Sequence, residues 1–217
     1  MARFTIIIGN KNYSSWSLRG WFALRHCVAD FEEIQINLDK PTTSADIRAH
    51  SPAGKVPALF DGERLIWDSL AICEYLAEIF PDAGLWPDDM AARAHARSVS
   101  AEMHSGFPDL RHDMPMNCRA SLPGKGATPA ALTDIARIEE MWSHCRERYG
   151  GGGDFLFGRF SAADVMYAPV ASRFKTYQPE IGPTAMAYVE AIHGLPAMRQ
   201  WLDAARAESD RLVKMEI

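Results

Sequence analysis

Residues 4–26 read FTIIIGNKNYSSWSLRGWFALRH, and the order of residue types in this stretch decides the fold. A mostly apolar run, residues 4–8, closes on Gly9-Asn10, the pattern of a short strand covered on both faces. Asn12, Ser14 and Ser15 are types whose side chains satisfy the free N–H groups of a helix start, and beyond Trp16 apolar residues fall at Leu18, Trp21, Phe22 and Leu24. A helix that begins where a buried strand ends offers exposed N–H groups and the positive end of its macrodipole, and both stabilise negative charge. A hydroxyl there, on Ser14 or Ser15, can hold a ligand thiolate by a charge-assisted hydrogen bond. Capping the helix is the other role open to the same serines.

Outward from this turn, residues 31–38 (FEEIQINL) alternate polar and apolar at Ile34, Ile36 and Leu38, as a strand with one solvated face does. Strand, helix and strand at this spacing imply a right-handed crossover with the strands parallel. Thr43 or Ser44 can cap a short helix to about His50. Residues 56–60 form an apolar segment interrupted by Pro57, which cannot donate to a ladder and belongs at an edge, a bulge or a cis turn. Asp61-Gly62 is a hairpin turn returning through residues 64–67. Asp68-Ser69 opens a helix with Ile72, Tyr75, Leu76 and Ile79 on one face, and Pro81 ends it.

Residues 82–88 are rich in Pro, Gly and Asp, and beyond them strand-like alternation disappears. The reading is therefore an α/β domain over 1–81, a linker over 82–88 and an all-helical domain over 89–217. Within the latter, residues 89–122 read as a long helix bent at Gly106-Phe107-Pro108. Thr128-Pro129 starts a helix to about Tyr149, and the glycines 150–153 end it. Ser161 and Asp164 have capping-box spacing at the start of a further helix, with Phe160 placed to staple onto Val165. Two shorter helices follow, near 184–193 and 195–207.

Composition narrows the function. With 47% hydrophobic and 24% charged residues in 217 the chain is an ordinary globular protein. Its net charge of −5 is spread, with 8 Lys/Arg against 10 Asp/Glu up to Phe80 and 15 against 18 beyond, so nucleic acid is a poor partner. The first apolar run is too short for a leader or a membrane span, which points to the cytoplasm and away from membranes. Cys27, Cys73, Cys118 and Cys145 lie far apart without metal-ligand spacing and read as small buried residues, so no metal is expected.

Three separated motifs, YSSWSLR (13–19), GKVPAL (54–59) and DSLAICEYL (68–76), together with the Ser161 to Asp164 box, resemble the cytosolic glutathione S-transferases over nearly the whole length. The first motif is most similar to the serine-type, zeta-like branch, with Trp16 where that branch has cysteine. The resemblance implies an N-terminal thioredoxin-like domain (βαβαββα) followed by a C-terminal helical bundle, glutathione as co-substrate, and a homodimer. It assigns thiol activation to Ser14, with Ser15 next to it. Val56 would pair with the cysteinyl unit like an added strand, beside a cis Pro57. Asp68 and Ser69 would take the γ-glutamyl end, with capping alone the competing role of Asp68. Lys40 and Lys55 would approach the glycyl carboxylate. Tyr13, Trp16, His104, Phe107 and Arg111 would line the second-substrate site, and Arg19 and Arg111 are its cations.

The function so implied is a glutathione S-transferase that activates the thiol for attack on a hydrophobic electrophile. A glutathione-dependent maleylacetoacetate isomerase, an activity of the zeta branch, is the alternative, and a non-catalytic interaction module built on the same fold is a second. The large apolar surface of Trp16 favours conjugation over isomerisation. A thiol–disulfide reductase ranks last, because serines stand where it needs a cysteine.

Overall fold

The structure, a computed structural model, describes residues 3–28 and 30–216. Its sheet is built on β1 (Phe4–Gly9), which pairs in parallel with β2 (Glu32–Ile36) and antiparallel with β3 (Ala58–Asp61); β4 (Arg64–Ile66) pairs antiparallel with β3, giving the order β2-β1-β3-β4. Successive side chains of β1 serve different cores, as a strand covered on both faces requires. Ile7 packs with Ile36, Ile47 and Ala58, while Phe4, Ile6 and Ile8 join the main core. β2 is an edge strand and is mostly exposed: of its two isoleucines only Ile36 is buried.

Helix α1 (Ser15–Cys27) makes the crossover and packs against α3 (Ser69–Ile79), with α2 (Thr43–Arg48) leading to the turn before β3. Ser14 is the N-cap of α1 and Asp68 that of α3. The Val56–Pro57 peptide is cis, as expected, and β3 begins only at Ala58, so Val56 stands outside the ladder. Gly62 takes the left-handed conformation that its two-residue hairpin turn needs.

The remainder is helical: α4 (Met90–Ser105), α5 (Pro108–Asp113), α6 (Pro129–Tyr149), α7 (Ala162–Tyr177), α8 (Pro183–Gly194) and α9 (Pro196–Ala207). The architecture is thus a thioredoxin-like portion with a small mixed sheet, followed by helices. The capping box of Ser161 and Asp164 is present: the Asp164 carboxylate accepts the Ser161 N–H and Oγ–H, each at 2.8 Å.

One expectation fails. Helix does not run from 89 to 122 but stops at Asp113, and residues 114–128 are irregular. Pro115 forbids the next turn, and the backbone beyond it bonds elsewhere: Cys118 N–H donates to Asn12 O at 3.2 Å and Leu122 N–H to Thr176 O at 2.7 Å. Long-range partners outcompete local helix there.

The main core is continuous across the chain. Leu18, Trp21 and Phe22 of α1 share it with Val165 and Met166 of α7 and Trp201 of α9, and the Trp21 and Trp201 rings lie 5.3 Å apart. Helix α1 is therefore packed into one core with the helices that follow the sheet.

Candidate functional site

A cavity of about 770 Å3 opens where the start of α1, the turn at 53–57 and the start of α3 face α4, α5, α7 and Met215. Ser14, Ser15 and Trp16 line it from α1; Gly54, Lys55, Val56 and Pro57 from the turn; Asp68 from α3.

Ser14 stands where the α1 dipole is strongest. Its Oγ accepts the Ser17 N–H at 3.3 Å and its hydroxyl donates to Ser17 Oγ at 2.8 Å, an oxygen that also accepts the Gly9 N–H at 2.9 Å. Hydroxyl hydrogens rotate to suit their partners. When Ser17 donates to Ser14 Oγ, the Ser14 hydrogen is released toward the cavity, at the end of a chain that begins on a backbone N–H and polarises each member in turn. Ser15 lines the same wall one residue deeper into the helix.

The turn beside Ser14 is placed by backbone contact. Gly20 of α1 lies so close to Pro57 that any side chain there meets the ring. Asp68 serves three partners: Oδ1 accepts the Leu70 N–H at 3.0 Å and the Ala71 N–H at 3.4 Å, while Oδ2 lies 3.1 Å from His104 Nε2. Capping and an outward-facing carboxylate oxygen thus coexist. Ser69 is buried with a hydroxyl that has no partner, and is not itself part of the wall.

Around Trp16 the wall is aromatic and cationic. The Trp16 ring lies between the Arg19 and Arg111 guanidinium carbons at 4.6 and 4.9 Å, with His104 edge-on at 5.1 Å. Arg173 enters from α7, its Nε donating to Met114 O at 2.7 Å and its Nη1 to Pro169 O at 3.2 Å. Burial pushes the Arg173 guanidinium down to about 10, and the Arg111 charge nearby adds to it. It remains protonated at neutral pH. Arg111 is lowered by burial too. Its Nη1, like both Nη atoms of Arg19, has no partner. Among the described residues none of these three guanidiniums forms an ion pair with a carboxylate.

Of the expected residues, Tyr13, Ser14, Ser15, Trp16, Lys55, Val56, Pro57, Asp68, His104 and Arg111 converge on this cavity. Four others lie elsewhere, among them Ser69, whose buried hydroxyl is off the wall. Phe107 is the buried residue between α4 and α5, held at φ 60° and packed in the core. Lys40 pairs with Asp210 at 3.4 Å. Arg19 is fully buried behind Trp16, its Nε donating to Met166 O at 3.0 Å, so it charges the wall without forming it.

Sequence reasoning missed Arg173, Met116 and Met215. Arg173 had a signal: every residue of α7 but Lys175 is buried, and an arginine in a helix apolar nearly all round must find a partner or a cavity. The methionines carried none.

Models of the glutathione S-transferase N-terminal and C-terminal domains match residues 13–79 and 127–204. A probable maleylacetoacetate isomerase from Caenorhabditis elegans is 29% identical over 76% of this chain and 77% of its own length. Among solved structures, the holo form of a bacterial maleyl pyruvate isomerase, a zeta-class glutathione S-transferase, superposes with a TM-score of 0.72 at 23% identity, covering 95% of this chain and all of that one. A glutathione transferase homolog from Burkholderia, with bound glutathione, gives 0.71 at 24% identity over the same shares. At these identities the two structures establish a common fold.

Proposed function

Because the chain belongs to the glutathione S-transferase family, we propose that it is a glutathione-dependent transferase in which the Ser14 hydroxyl activates the thiol. The single observation that carries the reading is the Ser14 hydroxyl, which caps α1 on the cavity wall next to the cis-Pro57 turn. Glutathione lies along that turn, its cysteinyl unit paired with Val56 as an added strand. Its γ-glutamyl carboxylate meets the positive end of the α3 dipole and its ammonium faces Asp68. Lys55 is the cation available to the glycyl carboxylate.

In this pose the sulfur meets the Ser14 hydroxyl and the N-terminal dipole of α1. Both stabilise the thiolate over the thiol, whose unperturbed pKa is about 8.5. The proton leaves to solvent, the sulfur lone pair attacks an electrophilic carbon held against Tyr13 and Trp16, and the displaced group departs with its electron pair. Retention on immobilised glutathione, followed by conjugation of a generic aromatic halide, tests the reading. Neither retention nor turnover would leave the non-catalytic interaction module as the better account.

Arg111 and Arg173 favour a second reading. A buried guanidinium and a half-buried one, neither with a carboxylate partner, suit an acidic substrate, and a thiolate that adds to an unsaturated dicarboxylate and is then expelled isomerises its double bond. Maleylacetoacetate offered to the same preparation separates the two. Efficient isomerisation, above about 10⁴ M⁻¹s⁻¹ in kcat/KM, with negligible conjugation would make isomerisation the physiological reaction.

A further inference from the structure

Glu208 lies just beyond α9, yet its carboxylate sits on the turn that presents Ser14. Oε1 accepts the Lys11 N–H at 2.6 Å and Oε2 the Asn12 N–H at 3.1 Å, while the Gln35 side-chain amide donates to Oε1 at 2.8 Å. Two successive N–H groups on the two oxygens of one carboxylate fix the orientation of the intervening peptide as well as its position.

The other face of the turn is held as firmly. Trp201 Nε1–H donates to Lys11 O at 3.0 Å, and Arg119 N–H to Asn12 Oδ1 at 2.9 Å. Arg119 also grips the Glu208 segment: Nη1 donates to the Glu208 carbonyl and Nη2 to Asp210 O at 2.9 Å. From the turn the constraint passes directly to the catalytic hydroxyl, because the Tyr13 and Ser14 N–H groups donate to Asn10 O at 3.2 and 2.9 Å.

We propose that Glu208 is a positioning residue for thiol activation: by gripping the Lys11 and Asn12 N–H groups it sets where the Ser14 hydroxyl and the first N–H groups of α1 stand relative to the sulfur. The proposal rests on the reading that Ser14 activates the thiol. Its sign is distinctive. Glu208 carries negative charge, so as a mere electrostatic neighbour it disfavours a thiolate, and its removal would lower the thiol pKa. As the clamp on the turn it favours the thiolate, and its removal raises that pKa.

The test compares Glu208→Ala and Glu208→Gln with the unaltered protein. It measures the apparent pKa of bound glutathione, from the ultraviolet absorbance of the thiolate against pH, alongside kcat and KM for glutathione. Expected for Glu208→Ala are a raised thiol pKa, a loss of kcat on the order of 10-fold and little change in KM, since a misplacement of about 1 Å can cost up to 10²-fold. Glu208→Gln keeps one acceptor oxygen and falls between. It carries the test if the alanine variant does not fold, as judged by circular dichroism. In a Ser14→Ala background the Glu208 substitution causes a smaller loss than in the unaltered protein, because the part that acts through the Ser14 hydroxyl is already gone.

A thiol pKa that falls or stays unchanged in folded Glu208 variants overturns the proposal, and so does an undiminished loss on the Ser14→Ala background. Should Ser14→Ala itself leave the thiol pKa unmoved, the failure belongs to the underlying assignment of Ser14.

Discussion

Gly20 and Pro57 are in backbone-limited contact: a Cβ at residue 20 would stand 2.8 Å from Pro57 Cγ and 2.9 Å from its Cβ, with Ile72 Cδ1 at 3.4 Å behind. Helix α1 thereby presses directly on the turn that carries Val56. Gly20→Ala gains about 1 kcal/mol of helix propensity, but it forces a rigid ring out of place at a cost of roughly 1–3 kcal/mol. The clash wins. The expected results are a lower melting temperature, by about 2–4 °C per kcal/mol lost, and a raised KM for glutathione. A stabilised variant with unchanged KM would show that the contact does not place the turn.

Ser14→Ala is expected to lower kcat on the order of 10²-fold, as does loss of one donor to a developing anion, while glutathione affinity changes far less because the peptide contacts remain. Ser15→Ala serves as control. If Ser15→Ala loses activity and Ser14→Ala keeps it, the assignment moves one residue along.

Arg173 gives the electrophile its own test. Arg173→Leu, close in size to the alkyl part of the side chain, should cut turnover of a carboxylate-bearing substrate by at least tenfold, since a charged hydrogen bond contributes roughly 1.5–3 kcal/mol. Conjugation of a neutral aromatic halide should change little. Equal losses on both substrates would assign Arg173 to packing of α7 alone.

Asp164 predicts a pH dependence of stability. Burial pushes its carboxyl up to about 6, against the pull of the Leu156 N–H, the Ser161 hydroxyl and the Ser161 N–H. With the folded value above the unfolded value, the folded state binds the proton more tightly. The contribution is full below about pH 4 and is lost as pH rises through about 6. Urea denaturation at pH 5 and pH 7 should show a loss of roughly 1 kcal/mol from this group, and Asp164→Asn, though less stable throughout, should lack that part of the slope. Parallel slopes would mean that Asp164 does not titrate in this range.

A homodimer is expected, packing the thioredoxin-like part of one subunit on the helices of the other about a two-fold axis. Light scattering at micromolar concentration should give twice the 24.2 kDa chain mass. The monomer mass would contradict it.

Short-range signals carried most of the fold. Ser14 before α1, Asp68 before α3, Thr128-Pro129 before α6 and the Ser161 to Asp164 box before α7 each stand at the helix start they announce, because a cap acts on N–H groups two or three residues away. The hairpin at Gly62 and the cis Pro57 are equally local. With the motifs around them, these features were enough to read the fold, the turn and the position of Ser14 as a helix cap from the sequence by itself. What it could not determine lies between residues far apart along the chain. The stop at Asp113, the His104 contact with Asp68, the diversion of Lys40 to Asp210 and the arrival of Arg173 and Met215 at the cavity all depend on which surfaces meet after folding. Glu208 on the N–H groups of Lys11 and Asn12, 197 and 196 residues away, is the clearest case. No periodicity or spacing encodes such a contact, and only the packing of α9 against α1 brings the carboxylate to the turn.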